Sequence, residues 1–431
     1  MNKKSVFIIT YGCTLNRGDS EIIAGILSGC GFSIAEDPQS AGIIVVNTCT
    51  VKTPTEKKIF KKLKSLEDSK KSVVVAGCIP PAIPGWVDIF KNFSFIGTNT
   101  TDIADAVAAA ATAASKGKRL VNIQTSAHRI DCPKIRYNPI CEIVPIADGC
   151  LGSCAYCQTK KARGDLRSYS RERIIKRIVN AVKDGVVEIW LTAQDTGAYG
   201  CDIGCDLADL LKNICEITGE FKVRVGMMNP AHTYRILDKL IEIYKNEKIY
   251  KFIHLPVQSG SDKVLCDMNR GYSVRDFIHI VETLRCEIPG ITISTDIIAG
   301  FPTETESDHD KSVSLIKKIK PDIVNISRYW MRGGTESAKL KGHHGRVTKH
   351  RSRIISKIFQ DIALEKNKKW IGWEGNALVS ELKDDLCARN FAYKPIILKE
   401  KIRENRKIML GDSVRVRIYD ASFCDLKGEI V

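Results

Sequence analysis

Gly149-Cys150-Leu151-Gly152-Ser153-Cys154-Ala155-Tyr156-Cys157 is the stretch on which the reading of this chain turns. Three cysteines at C-x3-C-x2-C spacing on one loop can hold three irons of a 4Fe–4S cluster and leave the fourth iron open for a ligand. Ferredoxin loops share the C-x2-C portion but usually supply a fourth cysteine. A structural zinc loop is the plainer alternative. The loop follows a short apolar run, 142–145, directly. From there to about 338, strand and helix patterns alternate. Candidate strands are 142–145, 187–192, 223–227, 251–257, 292–298 and 322–327, with helical stretches such as 171–183 and 274–284 between them. Six βα units in about 200 residues predict a partial barrel, short of the eight that close one. Active sites collect at the C-terminal ends of barrel strands, which is where the cysteine loop falls.

Upstream, residues 1 to about 105 also alternate. Val6-Phe7-Ile8-Ile9, Ile43-Ile44-Val45-Val46 and Val73-Val74-Val75-Ala76 are the short β-branched runs of buried parallel strands. Helical patterns lie near 19–29 and 55–67. An open α/β sheet is expected, closed by an Ala-rich helix at 104–114 and followed by a polar linker to about Pro139. Each run leads into a cysteine: Cys13, Cys49 and Cys78. Parallel strands end on one edge of their sheet, and open α/β sheets bind ligands outside that edge. Three thiolates would converge there without any local motif, near helix N-termini that favour an anionic group. Buried structural cysteines are the alternative. Cys201 and Cys205 repeat the C-x3-C spacing without a third partner.

Downstream, 346–369 reads as one amphipathic helix. Beyond it, Val414-Arg415-Val416-Arg417-Ile418 alternates as a half-exposed strand does. With 376–380, 396–398 and 428–431 it predicts a small β-barrel of about sixty residues. The expected division is therefore 1–115, 136–369 and 370–431.

Composition sets outer bounds. With 431 residues, 44% hydrophobic and 27% charged, the chain is an ordinary globular protein of several domains. No apolar run approaches a membrane span, and no signal-peptide core or tail anchor is evident, so cytoplasmic residence and no membrane partner are expected. The net charge of +16 favours a polyanion partner. Residues 339–357 hold seven Lys or Arg and no acid, and 394–407 hold six bases and two acids. Arg346, Lys349, Arg351 and Arg353 are candidate phosphate contacts. Phe391 and Tyr393, with Trp370 and Trp373, could stack on unpaired bases.

These features together resemble the radical S-adenosylmethionine (SAM) methylthiotransferase family across the whole chain. The likeness rests on Tyr11-Gly12-Cys13-Thr14-Leu15-Asn16, Asn47-Thr48-Cys49-Thr50-Val51 and Gly77-Cys78. It rests also on the 150–157 loop with Arg163-Gly164, on His254-Leu255-Pro256-Val257-Gln258-Ser259-Gly260-Ser261, and on Asp296-Ile297-Ile298-Ala299-Gly300-Phe301-Pro302. The last sixty residues are similar to a TRAM domain, a small RNA-binding barrel. Lys161-Ala162-Arg163-Gly164-Asp165-Leu166-Arg167-Ser168-Tyr169, Asp195-Thr196-Gly197-Ala198-Tyr199-Gly200 and Asn390-Phe391-Ala392-Tyr393-Lys394-Pro395 resemble the archaeal and eukaryotic branch, which modifies threonylcarbamoyladenosine at tRNA position 37. Pro81, Thr303 and the Met331–Thr335 turn depart from the family's usual residues.

The resemblance implies two 4Fe–4S clusters. Cys150, Cys154 and Cys157 would hold the one that binds SAM, whose one-electron cleavage yields a 5′-deoxyadenosyl radical. Cys13, Cys49 and Cys78 would hold an auxiliary cluster for sulfur delivery. Tyr156, Gln194, Asp195, Gln258, Ser259, Asp296 and Gly300, on the cysteine loop or at strand ends, are the expected SAM contacts. No catalytic residue beyond the clusters is implied. Expected partners are the tRNA anticodon loop, an electron donor and a sulfur source. Other readings remain: methylthiolation of a ribosomal-protein aspartate, action on a different modified adenosine, or a non-catalytic RNA-binding iron–sulfur protein.

Overall fold

The structure, a computed structural model, describes every residue except Met1, Lys70, 117–118, 126–128, 383–384, 399–401 and 404–405; the side chains of 2–3, 113–116, 402–403 and 406 are also outside the description. Part of the basic stretch 394–407, namely 399–401 and 404–405, therefore lies outside the described residues.

Six parallel strands build the N-terminal sheet: β1 Asn2–Thr10, β2 Ser33–Ile34, β3 Ala41–Thr48, β4 Ser72–Gly77, β5 Ser94–Ile96 and β6 Val121–Asn122, in the order β2-β1-β3-β4-β5-β6. Both faces are covered, so the strands read as unbroken apolar runs rather than alternating ones. On one face Ile44, Val46, Val73 and Val75 meet Ile59 and Leu63 of α2 (Thr53–Glu67). On the other, Val6, Val45 and Val74 meet Ile23 and Leu27 of α1 (Thr14–Gly29) and Ile103 and Val107 of α3 (Ile103–Lys116). The chain leaves β1 for β2 on one side and reaches β3 on the other, so β1, β3 and β4 are neighbours at the point where the winding reverses.

The barrel strands are β7 Cys141–Pro145, β8 Glu188–Thr192, β9 Lys222–Arg224, β10 Phe252–His254, β11 Thr292–Ala299 and β12 Ile323–Arg328. They form two parallel sheets, β9-β8-β7 and β10-β11-β12. The seam between them is held by Val223, whose N–H donates to the Lys248 carbonyl at 2.7 Å and whose carbonyl accepts from Tyr250 N–H at 3.0 Å. The expected partial barrel of six strands is thus present, though the strands expected at 223–227 and 251–257 are shorter. The helices include α4 Thr159–Arg163, α5 Arg171–Lys183, α6 Leu207–Glu216, α7 Val274–Glu287, α8 Glu306–Ile319 and α9 Gly345–Lys368. In α5 the buried Ile174, Ile178 and Ala181 recur at helical spacing, which is why this polar stretch lies down on the sheet.

The stretch expected to be a plain linker is not one. β6 joins the first sheet, and beyond it Arg129 is 2% exposed, bonded to Asp19 at 2.6 Å and to Asp148. Lys134 bonds Glu21 at 3.1 Å and Glu142 at 2.7 Å. These cations bolt α1 to the edge of β7, where Gly18 lies against Ile143. Polarity in the sequence is blind to such pairing, because buried charges persist only when partners from distant segments meet them.

The last domain is a closed five-stranded barrel: β13 Glu374–Leu382, β14 Leu386–Arg389, β15 Pro395–Leu398, β16 Ser413–Ala421 and β17 Leu426–Ile430, in the order β13-β14-β15-β17-β16. Val414, Val416 and Ile418 point inward while Arg415 and Arg417 point out, as the alternation predicts. β14 was not expected from the sequence. The turn after it caps the N-terminal mouth of the large barrel: Lys251 N–H donates to the Phe391 carbonyl at 2.8 Å. Among the described residues no helix is long and apolar enough to cross a membrane.

Candidate active site between two cysteine trios

Cys13, Cys49 and Cys78 follow β1, β3 and β4, three adjacent strands, so one sheet edge carries all three. Asn16 laces these ends together. Its amide donates to the Tyr11 carbonyl at 2.9 Å and the Thr48 carbonyl at 2.8 Å, and its Oδ1 accepts from Arg163 Nη2 at 2.7 Å. Gly12 has φ +107, and a Cβ on it would lie 2.6 Å from Cys49 Sγ, so only glycine lets the chain after β1 pass this thiol. Burial, then the neighbouring Cys78 and Cys13, pushes the Cys49 thiol up to about 12. Burial raises Cys78 as well, opposed chiefly by the Arg163 guanidinium. These mutual effects mean the three sulfurs share one electrostatic environment.

The second trio lies on the loop after β7. The position a Gly152 Cβ would take is 3.6 Å from Cys150 Sγ and 3.9 Å from Cys154 Sγ, so two thiols flank one point. Arg270 Nη1 donates to Cys154 Sγ at 3.1 Å and Thr159 N–H to Cys157 Sγ at 3.3 Å. Burial pushes Cys150 up to about 11 and raises Cys157. All three thiols line one cavity of about 380 Å³, with Lys160 and Lys161 at its rim. Among the described residues no three His, Cys, Asp or Glu side chains close around a single metal ion. A four-iron cluster sets a different demand, since each thiolate takes its own iron. Soft thiol donors in threes, with cations beside both sets, fit an anionic cluster.

Next to the loop trio lies a cavity of about 280 Å³, walled by the ends of β11 and β12, by Tyr156 and Gln258, and by Val51 and Lys52 from the N-terminal domain. Gln258 has φ +70 and its buried Oε1 has no partner among the described residues; Gln194 Oε1 is likewise buried and unmet. Unpartnered buried amides are costly, so they mark where a polar ligand belongs. Asp296 lines the cavity. Burial works against its charge, but His254 Nε2 at 2.8 Å and Asn325 Nδ2 at 2.9 Å hold its carboxyl below the ordinary range. Asp195 accepts from Gly197 and Asn229 N–H, each at 3.0 Å, and meets His232 Nδ1 at 2.7 Å, so it organises the loop beside Gln194.

Two expected SAM contacts do a different job. Ser259 is fully buried with its hydroxyl toward Ser312 and Ser261, away from the cavity. Gly300, φ +79, gives its N–H to Glu304 at 3.0 Å, and a Cβ there would strike Thr348 of α9 at 2.4 Å. It is glycine because a helix crosses it.

The expected RNA contacts also divide. Arg346, Lys349 and Arg353 are exposed on the first half of α9. Arg351 is 4% exposed and bonded to Glu304 at 2.8 Å and Glu306 at 3.0 Å, so it anchors α9 instead of facing solvent. Tyr393 is 8% exposed, packed on Tyr250 and Phe252 with ring centroids 4.8 and 5.2 Å away, and cannot stack on a base. Phe391 is exposed beside Trp370 and Trp373, but at the N-terminal mouth of the barrel, opposite the thiols. Sequence reasoning missed Arg129, Arg270, Lys52 and Arg328, and assigned no role to Arg163. None follows a periodicity or a ligand spacing, and Arg163 was visible only as part of a motif.

A family model described as "Radical SAM superfamily" matches residues 144–316, and one described as "Uncharacterized protein family UPF0004" matches 5–91. A protein of Pyrococcus horikoshii named "Probable threonylcarbamoyladenosine tRNA methylthiotransferase" is 43% identical, the match covering 99% of each chain. Homo sapiens "Threonylcarbamoyladenosine tRNA methylthiotransferase" is 36% identical over 99% of this chain and 74% of that one. Among solved structures, the radical SAM methyltransferase TsrM of Kitasatospora setae superposes with a TM-score of 0.53 at 13% identity, over 75% of this chain and 73% of the other, a likeness of fold. On identity that runs the full length of both chains, this chain belongs to the threonylcarbamoyladenosine tRNA methylthiotransferases, a radical-SAM family of transferases that use SAM and two four-iron clusters.

Proposed function

We propose that this chain converts threonylcarbamoyladenosine at tRNA position 37 to its 2-methylthio derivative, with Cys150, Cys154 and Cys157 holding the SAM-cleaving cluster and Cys13, Cys49 and Cys78 the auxiliary one. One observation carries the assignment. Helix α4 begins two residues after Cys157 and ends at Arg163, whose guanidinium bonds Asn16 and Asp19 beside Cys78. Five helical residues span about 7.5 Å, and this short path from the loop trio to the sheet-edge trio supports the reading of one site with two clusters. When bound, the clusters and SAM supply a one-electron cleavage that activates an adenine carbon–hydrogen bond, and a sulfur ready to be methylated and transferred.

The chain's own groups position these parts. Gln194 and Gln258 offer unmet carbonyls to the SAM amino group, with Tyr156 and Asp296 on the wall. Arg270 keeps a cation against the loop trio and Arg163 against the other, which offsets the negative charge of thiolate-bound iron. Exposed Arg346, Lys349 and Arg353 contact the backbone of the anticodon stem and loop, where position 37 is already unpaired and needs no duplex opening. An electron donor and a sulfur source complete the reaction, which takes place in the cytoplasm.

The test is anaerobic reconstitution with iron and sulfide, followed by nucleoside mass spectrometry of tRNA carrying threonylcarbamoyladenosine. The expected outcome is a methylthio product that depends on SAM and reductant. A methylthio group appearing on a ribosomal protein instead, or 5′-deoxyadenosine formation with no tRNA product, overturns the assignment.

A further inference from the structure

The same cavity of about 280 Å³, on its side toward β12 and the N-terminal domain, is lined by three cations and one acid: Lys52, Arg328, Arg332 and Asp296. Two of these are already satisfied. Arg332 bonds Glu56 at 2.8 Å and Thr53 at 3.0 Å, which ties the barrel to α2. Asp296 is held by His254 and Asn325. Lys52 and Arg328 make no direct ion pair among the described residues, and the charge of Lys52 reaches Asp296 at longer range and helps hold its carboxyl down. They approach the cavity from different domains, one after Cys49 and the other at the end of β12. Arg328 is also pre-set. Its guanidinium lies 4.9 Å from the centroid of Trp330, which also lines the cavity. A cation–π contact of this kind restrains the guanidinium without using up its N–H donors, which can grip a carboxylate with two parallel hydrogen bonds.

The substrate of the proposed reaction presents such a group. Threonine joined to the base through its amine keeps a free carboxylate, which plain adenosine lacks. We propose that Arg328, assisted by Lys52, binds the threonylcarbamoyl carboxylate and so selects the modified base over unmodified adenosine. This rests on the functional reading above. SAM is the other carboxylate source, but its carboxylate and amine would be taken by the open iron of a cluster on the loop trio, whereas Lys52 and Arg328 line the cavity from two different domains. A site built to pair with a charged group discriminates strongly against a ligand that lacks it, because its cation is then left desolvated without a partner.

The test uses the reconstituted enzyme with SAM and two fluorescent anticodon stem-loops, identical except for threonylcarbamoyladenosine or adenosine at position 37. Wild type is expected to bind the modified loop about tenfold or more tightly, the scale of one charge-assisted pair. Arg328→Gln is expected to abolish that preference by weakening the modified loop alone. Arg328→Lys restores part of it, and Lys52→Gln reduces it by a smaller factor. Isothermal titration with SAM is run on each variant. A preference that survives in Arg328→Gln overturns the proposal. Equal weakening of both loops does so too, since Arg328 would then be a phosphate contact, and so does a variant whose SAM affinity falls while loop preference stays. Failure of wild type to methylthiolate modified tRNA is a separate result, which would sink the functional reading itself.

Discussion

The two cysteine trios differ in how they are built. Cys150, Cys154 and Cys157 lie within eight residues of one loop, so local chain geometry alone keeps them together. Cys13, Cys49 and Cys78 come from three segments, and only the pairing of β1, β3 and β4 makes them neighbours. The loop trio would survive moderate damage to the fold around it, but the sheet-edge trio depends on the whole N-terminal domain and on its docking to the barrel. Arg163 joins the two, since it ends the helix that starts beside Cys157 and pairs with Asp19 on α1.

This contrast can be broken in graded steps. Losing a ligand should have the largest effect. Cys150→Ala is expected to abolish reductive SAM cleavage, read as 5′-deoxyadenosine, whereas Cys49→Ala leaves cleavage intact and stops product formation. A methylthio product from the Cys49 variant would end the division of labour between the trios. Next comes Arg163→Met, which strips one cation from a buried network of Asp19, Arg129 and Asp148. An uncompensated buried charge costs about 3–5 kcal/mol, so thermal unfolding should show a large loss. In the reconstituted variant iron content should fall by about half, with the loop cluster kept. Loss of both clusters together would show that the trios are not independently assembled.

A smaller effect concerns pH in the cluster-free protein. Burial pushes the Cys49 thiol from about 9 up to about 12, so the folded chain keeps a proton that the unfolded chain gives up. That contribution is fully present below pH about 9 and is lost as pH rises toward 12, at up to about 1.4 kcal/mol per pH unit. Denaturant titrations of wild type and Cys49→Ala between about pH 8 and about pH 11 should diverge, with wild type losing stability faster. Parallel curves would mean the thiol is not buried as described. The smallest effect belongs to the surface of α9. Replacing Arg346, Lys349 and Arg353 by Ala should lower the salt dependence of tRNA binding by about one unit of slope for each phosphate no longer neutralised, with both clusters unchanged. An unaltered slope would move the RNA path elsewhere.

Much of this was legible along the chain. The β-branched runs, the loop spacing and the alternating arginines of β16 report local rules, in which periodicity and ligand spacing are properties of a few consecutive residues. Even the convergence of Cys13, Cys49 and Cys78 could be argued, because parallel strands share an edge. What failed had a common cause. Arg351 and Tyr393 have the composition of RNA contacts, yet Glu304 and the Tyr250–Phe252 pair claim them. Gly300 resembles a ligand-binding turn and is instead the place where α9 crosses. Strand β14 is four residues long and carries too short a pattern to announce itself.

The amino-acid sequence by itself therefore pointed to the fold class, the two cysteine trios proposed as cluster ligands and the family, since each is encoded in spacing or in identity to relatives. Only the tertiary structure decided which charges are spent on holding the domains together and which are left for ligands. Arg129, Arg163, Arg332 and Arg351 are committed to direct ion pairs with carboxylates from other segments, while Lys52 and Arg328 make no direct ion pair among the described residues. The physical reason is that a cation's role is set by the carboxylate it meets, and those partners are brought from far along the chain by folding alone.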